Sequence, residues 1–86
     1  MNVDLFTSAF CTPCMATRSV LSEAERLVDG LRITEHDVVR EEAESERRGI
    51  RSTPTVIVSD SGGNEVFRAE GVPTLNQVLV ALAKAA

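Results

Sequence analysis

An apolar, β-prone run, Val3 to Phe6, is followed after a short loop by a helical pattern, and the only two cysteines stand at the changeover, as Cys11-Thr12-Pro13-Cys14. This juncture constrains the fold more than any other feature, because a buried strand must feed directly into a helix. Thr7 to Phe10 form the connecting loop. Beyond the cysteines, Val20, Leu21, Ala24, Leu27 and Val28 recur at helical spacing, with Arg18, Ser22, Glu25 and Arg26 on the other side. Gly30 is placed to end that helix as a left-handed cap.

Further strands and helices follow. Leu31 to Val39 suggests a second strand, and Glu41 to Arg48 a short charged helix with acids early and arginines late, the order the helix dipole favours. Gly49 can stop it. Thr55-Val56-Ile57-Val58 is the strongest strand. The turn cluster Asp60-Ser61-Gly62-Gly63-Asn64 and the segment Glu65 to Ala69 complete a hairpin with it. Thr74 and Gln77 form a capping box for a last helix whose apolar face is Leu75, Val78, Leu79 and Leu82. The order is β-α-β-α-β-β-α, an α/β fold with a four-stranded mixed sheet and three helices. The two βαβ connections imply parallel strands, and the hairpin adds an antiparallel edge.

At 86 residues the chain is expected to form a single domain, residues 1–86, with one modest core. A hydrophobic share of 43% is too high for a disordered chain, and with three Phe and neither Trp nor Tyr the core must be mostly aliphatic. A net charge of −4 argues against a nucleic-acid module. No apolar stretch approaches the ~20 residues of a membrane span. The opening Met1-Asn2-Val3-Asp4 has no basic region of the kind that starts a signal peptide. A cytoplasmic location is therefore expected, where thiols are kept reduced and a disulfide is more often catalytic than structural.

That setting bears on the cysteine pair. At a helix N-terminus, unpaired N–H groups and the positive end of the dipole favour thiolate, the nucleophilic form. Cys14, one turn on, is expected to be more buried and less reactive, yet close enough to resolve a mixed disulfide on Cys11. Pro13 stiffens the link and is tolerated in a first turn. As a structural staple the pair is weak, since so short a loop recovers roughly 2 kcal/mol of unfolded-state entropy. Two inert buried thiols are the other plain reading. The chemical rival is a metal or iron–sulfur site. A structural zinc site usually needs four ligands, and the only histidine, His36, is distant in sequence, so such a site would need another chain or a small thiol. No metal and no cofactor is expected.

Ser52-Thr53-Pro54-Thr55 stands directly before the strongest strand. Proline cannot donate to a central ladder, so local rules place Pro54 at the strand's first position with a trans bond. The stretch Gly49 to Thr55, the Cys-x-Pro-Cys pair, the element order and Gly71 before the last helix together resemble the thioredoxin family across the whole chain. The resemblance implies a compact thioredoxin-like fold and a thiol–disulfide oxidoreductase that reduces protein disulfides. It implies that Pro54 is cis and packs beside Cys11 and Cys14, and that the Thr53 backbone pairs with an extended target peptide. Phe10, Thr12, Pro13 and Gly71 would complete a shallow substrate site. The implied partners are disulfide-containing proteins and an electron donor, either a reductase or a low-molecular-weight thiol. The chain would act as a monomer, without nucleic acid or membrane.

Departures from the family pattern matter. Thioredoxins usually carry Trp where Phe10 stands and Gly-Pro where Thr12-Pro13 stand, and they have an extra strand and helix before the cysteine strand. The compact form is similar to glutaredoxins, whose glutathione-binding turn is incomplete at Gly71-Val72-Pro73-Thr74. The family's buried Asp is replaced by Leu5. Asp4, one position away in a strand, should face the opposite side. Arg18, Arg51 and the charges from Glu41 to Arg48 are expected to be solvated, and His36 to be partly buried and structural.

Overall fold

A computed structural model describes every residue from Met1 to Ala86. The elements are β1 (Asn2–Thr7), α1 (Thr12–Leu27), β2 (Arg32–Asp37), α2 (Glu42–Arg47), β3 (Thr55–Ser59), β4 (Glu65–Glu70) and α3 (Leu75–Ala85). The order and the four-stranded mixed sheet match the sequence reading. Element ends differ by a residue or two, and Gly30 (φ 78°) lies in the turn before β2 while α1 already ends at an extended Val28.

Strand direction is the main correction. The sheet runs β2-β1-β3-β4. β1 and β2 are parallel, but β3 is antiparallel to β1, with Phe6 opposite Thr55 and Val3 opposite Val58. A helix between two strands dictates a parallel return only where it carries the chain back along them. β2 spans six residues, roughly 20 Å at ~3.3 Å per residue. α2 also has six residues, but at ~1.5 Å per residue it covers only roughly 9 Å, which leaves the direction of β3 to tertiary packing. The chain re-enters the sheet from the end where β1 and β2 finish. At Gly49 (φ 69°) two backbone bonds close α2, Gly49 N–H to Glu46 at 3.0 Å and Ile50 N–H to Ser45 at 2.9 Å. That left-handed position favours glycine, which has no Cβ to clash there.

Alternation in β1 divides the sheet into two faces. Val3 and Leu5 join Val56 and Val58 against Leu21 and Ala24 of α1 and Val78, Ala81, Leu82 and Ala85 of α3. This is the aliphatic core. On the other face, Phe6 and Ile57 are fully buried. There Phe6 stacks on His36, ring centroids 4.6 Å apart and planes 18° apart. α3 begins with the predicted capping box: Thr74 Oγ1 accepts from Gln77 N–H at 3.1 Å, and the Gln77 side chain accepts from Thr74 N–H at 2.9 Å.

Candidate functional site

Cys11 is the N-cap of α1, with extended backbone angles (φ −102°, ψ 101°). Cap residues accept the unpaired N–H groups of the first turn, and here the acceptor is sulfur: Cys14 N–H donates to Cys11 Sγ at 3.1 Å. A donor aimed at that atom stabilises negative charge on it. Cys11 and Cys14 are joined as a disulfide with Cα atoms 5.2 Å apart. Cys11 is half-buried, whereas Cys14 is wholly inaccessible. Thr12 and Pro13 are exposed in the first turn. Thr17, one turn on, donates its hydroxyl to the Pro13 carbonyl at 2.9 Å.

Phe10 departs from ordinary backbone geometry. Its φ is 58° and its side chain is fully exposed. A bulky residue in the left-handed region is strained, on the order of 1–3 kcal/mol. The turn throws the ring away from the core and into solvent beside Cys11.

The antiparallel course of β3 brings the second motif to the same end. Pro54 precedes Thr55, which lies opposite Phe6 at the top of β1. The Thr53–Pro54 bond is cis, and Pro54 is buried. Ser8, in the loop before the cysteines, hydrogen-bonds Thr53 through the two hydroxyls at 2.7 Å. β4 ends opposite Thr55, and Gly71 N–H then donates to the Pro54 carbonyl at 2.9 Å. The Thr53 backbone N–H and C=O pair with no other backbone group. Gly71 has φ 99°, and a Cβ there would meet open space, so backbone angle rather than lack of room favours glycine. Phe10, Cys11, Thr53, Pro54 and Gly71 thus belong to loops at one end of the sheet.

Of the residues set aside from sequence, Leu5, Asp4, His36 and Arg51 stand as expected, and Arg48 does not. Leu5 is buried in the core. Asp4 faces the other way, 2.8 Å from His36 Nε2 and 3.5 Å from Arg48. It lies on the face of β1 away from the core-facing Val3 and Leu5. His36 Nδ1 meets Glu41 at 2.8 Å, so the ring ties β2 to β1 and to the start of α2. Burial lowers the His36 pKa, but its hydrogen bonds to Glu41 and Asp4 outweigh that and raise it overall. Arg48 is mostly covered rather than solvated, with its guanidinium carbon 6.0 Å from the Phe6 ring centre. Arg51 pairs with Glu70 at 3.0 Å, near the end of β4.

Three features escaped the sequence reading. Ser8 had no local signal. Glu35 lies beside Leu5 in the parallel register, and so faces α1, where Arg18 grips it through Nε at 2.9 Å and Nη2 at 2.6 Å. The hydrogen bond from Arg18 holds the Glu35 carboxyl below its usual range, against the opposing effect of burial. A correct β1–β2 register would have found this pair. Met15, in the first turns of α1, is largely exposed and lines the same groove as Phe10. No group of three or more His, Cys, Asp or Glu side chains converges to hold a metal.

No family model matches the sequence, and no curated protein resembles it detectably. Solved structures do. Thioredoxin 1 from Thermosipho africanus superimposes with a TM-score of 0.83 at 20% identity, over 98% of this chain and 92% of that one. A malaria-parasite thioredoxin-2 gives 0.87 at 15% identity, over 96% and 81%. Mitochondrial thioredoxin 3 from Saccharomyces cerevisiae gives 0.84 at 16% identity, over 96% and 76%. The chain has the thioredoxin fold.

Proposed function

We propose that this protein is a thiol–disulfide oxidoreductase that reduces protein disulfides through Cys11 and Cys14. One observation carries the reading. The half-buried Cys11 caps α1 with its sulfur, which receives the Cys14 N–H, while its disulfide partner is fully buried. The pair is thus divided into an attacking and a resolving thiol. The thioredoxin fold supports the same reading.

In the dithiol form, Cys11 thiolate attacks a target disulfide and forms a mixed disulfide, expelling one target thiolate. Cys14 then loses its proton and attacks Cys11, releasing the second target thiolate and closing the Cys11–Cys14 bond. The target segment lies along Thr53, whose free backbone groups pair with it, past Pro54 and Gly71. Phe10, Thr12 and Pro13 cover its other side. Electrons return from a reductase or a low-molecular-weight thiol. A monomer in the cytoplasm is the setting we infer, and no helix is long and apolar enough to cross a membrane.

Insulin-disulfide reduction tests this, driven by a thioredoxin reductase system or by glutathione with its reductase. The expected result is turnover by the wild type that Cys11→Ser abolishes. Absence of exchange even with dithiothreitol would overturn the proposal.

A further inference from the structure

Cys11 has two flanks. Thr53, Pro54 and Gly71 belong to one. On the other, a groove of about 500 Å³ opens between the start of α1 and the end of β2, with Phe10, Cys11, Arg18, Glu35 and Asp37 in its walls. That volume lies within the range of small-ligand sites.

Two polar groups in the groove are fixed but not saturated. Arg18 spends Nε and Nη2 on the Glu35 carboxylate. Glu35 is further held by the buried Thr7, whose hydroxyl donates to Oε2 at 3.0 Å. Glu35 is therefore fully engaged, and the guanidinium is locked by its inner edge. Arg18 Nη1 makes no hydrogen bond. Asp37 shows the opposite chemistry. Its Oδ1 accepts from Val39 N–H at 2.9 Å and Arg40 N–H at 3.1 Å, which orients the carboxylate, and its Oδ2 accepts from nothing. A held cationic donor and a held anionic acceptor thus share a groove with the half-buried Cys11. Ligands bearing one charge, or none, leave part of this set unpaired.

We propose that this groove seats the amino-acid end of a small thiol or its disulfide, with the carboxylate on Arg18 Nη1, the ammonium on Asp37 Oδ2 and the sulfur at Cys11. The inference rests on Cys11 being the exchanging thiol and names the chemical class of the electron donor. The small thiolate attacks Cys11 Sγ, because Cys14 is inaccessible. The Cys11–Cys14 bond breaks, Cys14 leaves as thiolate and takes up a proton, and a Cys11–S–S–R mixed disulfide forms. A second thiolate attacks the sulfur of R. RSSR departs, and Cys11 keeps the electron pair. Two small thiols are oxidised, one protein disulfide is reduced, and two protons pass to the protein thiols.

The oxidised full chain is mixed separately with cysteine, cysteamine, 3-mercaptopropionate, 2-mercaptoethanol and dithiothreitol. Reduction is followed by alkylation and mass, and rates are expressed per thiolate after correction for thiol basicity. Cysteine should lead cysteamine and 3-mercaptopropionate by about threefold to tenfold each, the scale of one partly exposed charge-assisted contact. Relative to dithiothreitol in the same variant, Arg18→Gln should erase the lead of cysteine over cysteamine. Asp37→Asn should erase its lead over 3-mercaptopropionate. Rates that follow basicity alone in the wild type, or rankings unchanged in both variants, would overturn the groove assignment. Wild-type protein inert to dithiothreitol would instead overturn the oxidoreductase reading itself.

Discussion

The hydroxyls of Ser8 and Thr53 lie 2.7 Å apart and join segments 45 positions distant in the chain. One segment leads to the cysteines and the other to Pro54, so this bond ties the proposed peptide-binding backbone to the loop before Cys11. Ser8→Ala should cost about 1 kcal/mol of stability, the usual net worth of such a bond. It should raise KM for a protein disulfide more than it lowers turnover of a small one. Denaturant titration and paired kinetics check both. Unchanged KM would show that Thr53 keeps its place without the Ser8 hydroxyl.

Removing each sulfur in turn should have unequal effects. Cys14→Ser should accumulate a mixed disulfide on Cys11, visible by mass under non-reducing conditions, while Cys11→Ser should form none. Accumulation in the Cys11 variant would reverse the assigned roles, against the full burial of Cys14.

Phe10→Gly tests the purpose of a strained turn. Relief of the left-handed geometry is offset by the greater chain entropy of glycine, so stability should change by less than about 1 kcal/mol. Loss of the exposed ring should slow reduction of protein disulfides and spare small ones. A large loss of stability would mean the ring packs against the fold in solution.

The His36 clasp sets a pH dependence. A neutral imidazole has a single N–H, yet both His36 nitrogens face carboxylates at 2.8 Å, those of Asp4 and Glu41. The folded pKa is raised, so the native state holds the proton more tightly than the unfolded chain. Its stabilising contribution is complete below about pH 6.5, the unfolded value, and is lost as pH rises through the folded value. Thermal melts from pH 5 to 9 should show this decline, and His36→Gln should flatten it. Glu35 behaves oppositely. Its pKa is lowered, so its contribution holds above its unfolded value and fades as pH falls through the folded one.

Core truncation offers a magnitude check. Leu21 of α1 is 2% exposed, in the core shared by the sheet, α1 and α3. Leu21→Ala should cost about 2–5 kcal/mol by chemical denaturation. For a chain this size that is a large share of total stability. A cost below about 1 kcal/mol would mean the core closes around the gap.

The sequence determined what local chemistry controls. Periodicity located all seven elements, because buried strands and half-buried helices carry distinct spacings. Thr74 and Gln77 announced the start of α3 within a single turn. The strand-to-helix juncture put Cys11 at the N-terminus of α1, and the structure makes it the cap. Local pattern could not supply direction and register. Helical spacing in α2 is the same whichever way β3 runs, and pairing of β3 with β1 in the sheet decided its direction. The reversal carries Thr53 and Pro54 to the cysteine end. Through β4 it brings Gly71 there as well. The β1–β2 register likewise put Glu35 beside Leu5, under Arg18. Such partners are chosen by long-range packing, which no window of neighbouring residues contains.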